Sequence, residues 1–284
     1  MRFALRGAGG ERIDFRCTVG SHGFSRVPPA DAAEDYSWYR TALRLDGRVC
    51  GLHFVPQDDW LIVTADTKLS KAAQADANAA IRRMFRFDED LSALYVMAAS
   101  DPSLEWIGIG AGRMLASPTV FEEVAKTVCT TNCAWSGTIR MVRALVERLG
   151  GGAFPTPQMM AKAPESWYRD VARAGYRGAY LRQLSRAAVA GLDLESLRPI
   201  SGMSDDECEA RLLALPGVGP YAAAHVMLLI GRYHRLVLDS WTRPTYLRLA
   251  KKKTAKDATI RRAFARHGNY AGLAFWLYLS RDLH

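Results

Sequence analysis

The chain is poor in cysteine, and it has neither a long apolar run nor an excess of acidic residues. Its five cysteines are odd in number and scattered, which fits reduced thiols better than a disulfide framework; they are Cys17, Cys50, Cys129, Cys133 and Cys208. No apolar run approaches the roughly 18 residues that span a bilayer, so no membrane partner is expected. Residues 1–14 carry charges where a secretory signal would need an apolar block, and we expect a cytoplasmic protein of bacterial type.

The composition is basic, and the chain is long enough for more than one domain. It has 284 residues, of which 49% are hydrophobic, so one large domain or two or three small ones could each bury a core. The formal net charge is +9. Such a charge suits a polyanionic partner such as nucleic acid.

The most informative stretch is the tight connection Leu215–Tyr221 between two predicted helices. Ser204 is the expected N-cap of the first helix, Asp205–Leu213, and the second covers Tyr221–Ile230. Pro220 fits the first turn of the second helix, where a missing N–H costs nothing. The pattern predicts a helix-hairpin-helix, although many such connections only turn a corner.

Two glycines in this connection could let the backbone approach a ligand closely. Gly217 and Gly219 lie two apart around Val218, and glycine adopts positive φ without a steric penalty. The unpaired N–H groups of the turn and of the helix start suit a phosphate. We therefore expect residues 217–219 to grip a nucleic-acid backbone without reading its sequence.

A carboxylate stands at a distinctive distance from this hairpin. Asp239 follows the apolar run Leu236–Leu238, eighteen residues after Tyr221, and opens another helical stretch. A plain N-cap aspartate is the alternative interpretation. The hairpin and Asp239 together resemble the helix-hairpin-helix (HhH-GPD) superfamily of DNA glycosylases, in its 8-oxoguanine and 3-methyladenine (type II) branch. The resemblance implies that Asp239 is the catalytic carboxylate.

The predicted fold class is α+β, in three regions. Residues 1–87 are predicted to form an antiparallel sheet with a helix, as in the resembled branch; the expected strands are Ile13–Val19, Trp38–Leu45, Val49–Val55 and Trp60–Ala65, and the expected helix is Leu69–Phe85. Asp46-Gly47 indicates a hairpin turn. His22 and Gly23 are interpreted as a surface loop. Residues 88–199 are expected to be helical, and residues 200–284 to hold the hairpin, Asp239 and the closing helices.

Three residues of the helical region match DNA-contacting positions of the resembled branch. Asn132 matches the Asn that fills the gap left by a flipped base, with a turn or N-cap Asn as the alternative. Tyr176 matches a wedging aromatic, and Arg177 an Arg that contacts the orphaned base. A second Arg of the 8-oxoguanine branch falls on Gly137, which weakens any expectation of cytosine-specific recognition.

The resemblance also assigns a base pocket. Tyr221 stands where bifunctional members place a nucleophilic Lys, which implies a monofunctional enzyme without lyase activity. His225 and Trp241 are expected to line the pocket, with core packing as the alternative for each. Phe275 and Leu279 replace a Gln and a Phe of the 8-oxoguanine members. The apolar pair favours an alkylated purine over 8-oxoguanine, and Trp241 suits a cationic base.

Cofactor and partner expectations follow from the same resemblance. No cysteine follows Cys208, so the iron–sulfur cluster of some relatives is excluded, and no metal-ligating side chains are predicted. Hairpin carbonyls could hold a monovalent cation, as in relatives; no other cofactor is expected. The expected protein is a nucleoid-associated monomer that acts on double-stranded DNA containing a damaged base. A non-catalytic DNA-binding module is the alternative of another class.

Overall fold

The computed structural model describes residues 1–283, which combine one antiparallel sheet with many helices. The sheet has the strand order β1-β5-β4-β3-β2, and every neighbouring pair is antiparallel. The strands are β1 (Arg2–Ala4), β2 (Asp31–Ala32), β3 (Tyr39–Leu45), β4 (Arg48–Gln57) and β5 (Trp60–Ala65). The α+β prediction is therefore confirmed.

The turn between β3 and β4 is the one that the dipeptide Asp46-Gly47 predicts. Leu45 pairs with Arg48, and the two residues between them have φ of 49° and 73°. Positive φ at both central positions matches the twist of the flanking strands, and Asp and Gly tolerate it. Local turn chemistry thus fixes the register of the two longest strands.

One α-helix lies between β1 and β2, and the other α-helices follow β5. In the first half they are α1 (Phe15–Val19), α2 (Lys71–Met84), α3 (Ser92–Ala98), α4 (Val120–Thr130) and α5 (Trp135–Ala144). In the second half they are α6 (Pro157–Lys162), α7 (Glu165–Asp170), α8 (Arg177–Val189), α9 (Asp205–Leu213), α10 (Pro220–Ile230), α11 (Thr242–Leu249), α12 (Asp257–Phe264) and α13 (Ala271–Ser280). A π-helical turn, Leu145–Leu149, extends α5. None of the helices within residues 1–283 is long and apolar enough to cross a membrane.

The prediction of a strand over Ile13–Val19 is wrong. The side chain of Asp14 accepts the backbone N–H of Cys17 at 2.8 Å, which makes Asp14 the N-cap of α1. An N-cap aspartate offers the backbone a helical start that an alternating pattern over seven residues does not reveal. The segment is therefore a short helix whose apolar side chains are buried.

Two clusters of buried side chains form the core. One combines the sheet with α1 and α2, and includes Phe54, Leu61 and Phe85. The other unites the helices from α3 onwards. Phe24 and Val27, which precede the sheet strands β2–β5 in the chain, belong to this second cluster. The loop that carries them therefore leaves the sheet and enters the helical part, where the cavity described next lies.

Candidate active site

The predicted helix-hairpin-helix is present, with α9 and α10 as its two helices. The side chain of Ser204 accepts the N–H of Glu207 at 3.1 Å and caps α9, while Pro220 opens α10. Gly217 has φ of +77°, and a Cβ there would lie 2.5 Å from Cδ2 of Tyr180. Gly219 has an ordinary φ of −98°. Positive φ is thus required only at Gly217.

Asp239 is fixed at the start of α11. Its Oδ1 accepts the backbone N–H groups of Trp241 and Thr242 at 2.8 and 2.7 Å, and its own N–H donates to Oγ1 of Thr242 at 2.8 Å. The residue is half-buried and lines a cavity of about 840 Å³. Capping and a place on the cavity wall therefore occur together, so the two interpretations of Asp239 are compatible.

The cavity is mainly aromatic and lies against the N-terminal end of α10. Its rings form a connected set, in which Tyr221 stacks on His225, His225 on Trp276, and Trp276 contacts Trp241, with centroids 5.5–5.9 Å apart. Phe24 joins this set through His225, with centroids 5.7 Å apart, and lies nearly parallel to Trp135 with centroids 6.1 Å apart. Such walls suit the flat face of a base.

Two histidines of the cavity are buried and neutral. Burial lowers the pKa of His22 to about 3 and that of His225 to about 4. Nδ1 of His22 accepts the N–H of Phe24, so its Nε2 donates to the carbonyl of Leu115 at 2.6 Å. Neither ring nitrogen of His225 has a hydrogen-bond partner among the described atoms. Both rings therefore enter the site as uncharged aromatic groups.

Two of the predicted pocket residues lie elsewhere. Phe275 is fully buried against Tyr246 and Phe264, and Leu279 is also buried in the core. Their neighbours Trp276 and Ser280 line the cavity. Almost every position of α13 is buried, so its sequence shows no single apolar face and the rotation of the helix could not be deduced.

The N-terminal loop contributes residues that the sequence analysis missed. His22 and Gly23 line the cavity with Phe24 and Tyr36; His22 is buried, so the surface-loop interpretation is wrong for His22, whereas Gly23 is exposed. Ser21 holds this loop in place: its Oγ accepts the N–H of Leu115 at 3.0 Å and its carbonyl accepts the indole N–H of Trp276 at 2.8 Å. These partners are distant in sequence, and no local signal indicates them.

A second cavity, of about 320 Å³, adjoins the first. Tyr176, Gly217 and Gly219 line it, and Asn132 and Tyr221 line both cavities. Nδ2 of Asn132 donates to the hydroxyl of Tyr176 at 3.3 Å, and both residues are exposed. The hairpin and the two expected wedge residues therefore share one face. Val218 is buried and its N–H donates to the carbonyl of Leu215 at 3.2 Å, so this expected DNA contact lines neither cavity.

Arg177 does not occupy the position that the resemblance implies. Its guanidinium is turned inwards and buried, and it donates to the carbonyls of Thr131, Asn132 and Ala174. A side chain with these bonds holds the protein backbone instead of meeting an orphaned base.

Across residues 1–283, no group of three or more acidic, His or Cys side chains could hold a metal ion.

Comparisons with known proteins are consistent with this architecture. No protein-family model matches the chain. In sequence it is similar to a probable N-glycosylase/DNA lyase of Methanothermobacter thermautotrophicus, with 25% identity over 206 residues. The match covers 60% of this chain and 64% of the relative, which is less than two thirds of the relative's length.

Similarity to solved structures extends over nearly the whole chain. A 3-methyladenine DNA glycosylase from Archaeoglobus fulgidus superposes with a TM-score of 0.75 at 18% identity, covering 99% of this chain and 98% of the other. The 8-oxoguanine glycosylase/lyase of Clostridium acetobutylicum superposes with a TM-score of 0.72 at 19% identity, covering 95% and 94%. The chain therefore has the fold of the helix-hairpin-helix DNA glycosylases.

Proposed function

We propose that the protein is a monofunctional DNA glycosylase of base-excision repair. It flips a damaged purine out of double-stranded DNA, hydrolyses the N-glycosidic bond and leaves an abasic site. An alkylated purine such as 3-methyladenine is the favoured substrate. The observation that carries the proposal is the half-buried carboxylate of Asp239 on the wall of an aromatic cavity, beside the glycine-bent hairpin.

The hairpin would hold the DNA strand next to this cavity. No side chain caps α10, so the first N–H groups of the helix remain available to a phosphate. Gly219 is exposed, and a Cβ added there would meet no atom within 4 Å, so a ligand could approach the backbone closely. Asn132 and Tyr176 on the same face would enter the space left by the flipped base.

Asp239 would act on the sugar as the base departs. The C1′–N bond breaks with its electron pair going to the base, and positive charge develops on the sugar. An ionised carboxylate fixed by two backbone amides stabilises that charge without reorganising. It also orients the water that adds to C1′, and the surplus proton of that water passes to the carboxylate and then to solvent. Oδ1 of Asp239 is held by the helix cap, so Oδ2 is the atom available for this role.

The state of the histidines favours a base that leaves without being protonated. His22 and His225, with pKa values lowered to about 3 and about 4, are not acids at neutral pH. A purine alkylated at N3 or N7 is already cationic and departs as a neutral molecule, whereas an uncharged lesion needs a proton donor. The neutral aromatic rings also attract a cation, and the guanidinium of Arg243, which lines the same cavity, is paired with the carboxylate of Asp257 at 2.8 Å.

The nature of residue 221 supports hydrolysis without strand cleavage. Forming a Schiff base with C1′ requires an amine, and Tyr221 offers a phenol whose pKa is raised by burial. None of the described residues lining the main cavity is a lysine. Lys126 is the nearby amine behind Phe24, and it is buried in an ion pair with Glu122 at 2.5 Å.

A second candidate substrate is 8-oxoguanine. Asn132 and Arg177 match positions of that branch, although Arg177 is turned inwards here, and one similar solved structure is an 8-oxoguanine glycosylase/lyase. The relative found by sequence is named a probable N-glycosylase/DNA lyase. A panel of duplexes with single lesions distinguishes the candidates by which base is released.

The variant Asp239→Asn tests the catalytic role. Asn caps helices about as well as Asp, so α11 should remain folded while base release falls by about a thousandfold and DNA binding survives. Asp14→Asn is the matched control, because Asp14 is another half-buried N-cap aspartate, outside the cavity. Equal activity of Asp239→Asn and the wild type would remove the catalytic assignment of Asp239, and release of no base by either protein would leave only a DNA-binding scaffold.

Two further measurements test the monofunctional chemistry and the DNA contact. Products should show abasic sites that break only after alkali, and borohydride should trap no covalent adduct; a trapped adduct would establish a lyase. Binding to a duplex should weaken steeply as salt rises, since phosphate contacts release counterions. A salt-independent affinity would contradict backbone binding.

A further inference from the structure

We infer that Arg177 is a positioning residue that joins Asn132 and Tyr176 into one rigid wedge, and that the protein is therefore indifferent to the base opposite the lesion. The inference rests on the proposed function and names a property of its substrate. It concerns the face that contains the second cavity, where the loop after α4 meets the loop before α8.

The first step is the use of the guanidinium. Nε and Nη2 of Arg177 both donate to the carbonyl of Thr131, Nη2 also donates to that of Asn132 at 2.9 Å, and Nη1 donates to Ala174 at 3.5 Å. A guanidinium has five N–H groups, so these four bonds leave one. A base edge needs two parallel donors in the fork geometry that reads guanine, or a comparable pair for cytosine.

The second step is what those bonds hold. Thr131 ends α4, and Asn132 has φ of +45°, a left-handed conformation that a non-glycine residue adopts at a cost. Charged donors on both carbonyls stabilise this bend. The same guanidinium lies over the ring of Tyr176, with its carbon 4.6 Å from the ring centroid. One buried side chain thus orders both loops.

The third step is the direct contact between the wedge residues. Nδ2 of Asn132 donates to the hydroxyl of Tyr176, and the ring of Tyr176 meets Tyr180 edge-on with centroids 5.8 Å apart. Tyr180 in turn packs against Gly217 of the hairpin. The wedge is therefore braced against the element proposed to grip the backbone, and both would reach the duplex as a unit.

The fourth step concerns a second reader of the opposite base. Gly137 is buried and offers no side chain for that role. The exposed Arg140 has its Nη2 3.9 Å from the point that a Cβ of Gly137 would occupy, and the inference requires that this guanidinium makes no contact with the orphaned base. The polar groups that remain on the wedge are the amide of Asn132 and the hydroxyl of Tyr176. Each can donate or accept a hydrogen bond, so neither distinguishes the four bases.

The test uses the full chain and duplexes that carry a tetrahydrofuran abasic analogue opposite A, C, G or T. Wild-type affinities should agree within about threefold, since no contact discriminates the bases. Arg177→Ala should weaken binding to all four by a similar factor of about ten, because a displaced wedge costs affinity whatever it faces. Arg186→Ala, an exposed position on the same helix, is the matched control. A preference of tenfold or more for one opposite base would overturn the inference, whether or not Arg177→Ala erases it.

A second measurement keeps the positioning role separate from the proposed function. In the free protein, Arg177→Ala should speed hydrogen exchange at the amides of residues 131–136 and 174–177, while Arg177→Lys restores it only in part. Unchanged exchange would refute the positioning role. Failure to bind any duplex would refute the proposed function and the claim about the opposite base, and the exchange result would still decide whether Arg177 orders the loops.

Discussion

Among the segments that line the main cavity, the hairpin segment and the N-terminal loop are positioned by different physics. The hairpin segment, residues 204–242, is shaped by local chemistry: a serine cap, a glycine with positive φ in the turn and another after α10, a proline in the first turn of α10 and an aspartate cap. The N-terminal loop, residues 20–27, is held by partners 93, 94 and 255 residues away in the chain. The first segment carries its geometry in its own sequence, and the second depends on the completed fold.

The largest predicted effect is a loss of folding stability in acid, caused by the two histidines that these segments place in the cavity. His22 and His225 have pKa values near 3 and 4 in the fold and 6.5 when exposed. Between pH 6.5 and 4 the unfolded chain therefore binds protons that the folded protein does not, so stability is complete above pH 6.5 and is lost as the pH falls. Lowering the pH from 7.5 to 5 should cost roughly 4 kcal/mol through the two rings.

His225→Phe checks the attribution by urea unfolding at both pH values. Phenyl keeps a ring between Tyr221 and Trp276 and cannot bind a proton. The variant also removes two nitrogens that have no hydrogen-bond partner in the described part of the chain. We expect its acid loss to be smaller by roughly 2 kcal/mol. The same acid loss in the variant and the wild type would mean that His225 is not neutral and buried in the folded protein.

The two glycines of the hairpin make the next comparison, within the segment that local chemistry shapes. Gly217→Ala adds a Cβ at positive φ and against Tyr180, so it should lower the free energy of unfolding by about 2–3 kcal/mol. Gly219→Ala adds one where φ is ordinary and space is open, and stability should change by less than about 0.5 kcal/mol. Urea unfolding of both variants measures the difference. Similar losses would show that the bend at Gly217 is not what shapes the hairpin.

The same contrast between local chemistry and distant contacts explains what the sequence could predict. Ser204, Pro220 and the dipeptide Asp46-Gly47 act on backbone groups within four residues, and the elements they predicted are present. The strand over Ile13–Val19 failed because the cap of Asp14 competed with an alternating pattern. Local chemistry therefore predicts an element where one interpretation dominates, and fails where two compete over a short stretch.

The same rule applies to the candidate site: local signals point to some of its residues, and distant contacts decide the rest. Asp239, Tyr221 and His225 lie on or next to elements with local signals, and they line one cavity. Phe275 and Leu279 were each chosen one position away from the lining residues Trp276 and Ser280, since a helix buried on all sides shows no preferred face. His22 and Phe24 could not be found, because only contacts with Leu115 and Trp135 bring them to the cavity.

The N-terminal loop should respond to a change made 255 residues away. Trp276→Phe keeps a ring in the stack but removes the indole N–H that donates to the carbonyl of Ser21. The free energy of unfolding should fall by about 1–2 kcal/mol, and hydrogen exchange at residues 21–24 should become faster. Trp167→Phe is the control, since its indole nitrogen bonds to no other group in the described part of the chain. Equal exchange in both variants would show that Trp276 does not hold the loop.

The smallest effect tests whether the hairpin segment is as independent as its local chemistry suggests. Ser204→Ala removes the acceptor for the N–H of Glu207 and should cost about 1 kcal/mol, while Ser204→Asp should restore most of it. Ser204 is exposed and far from the contacts of Trp276, so the double variant Ser204→Ala with Trp276→Phe should lose the sum of the two single losses within about 0.5 kcal/mol. Urea unfolding of the four proteins measures the coupling. A larger coupling would mean that the hairpin segment also depends on the completed fold, and the contrast between the two walls of the cavity would then fail.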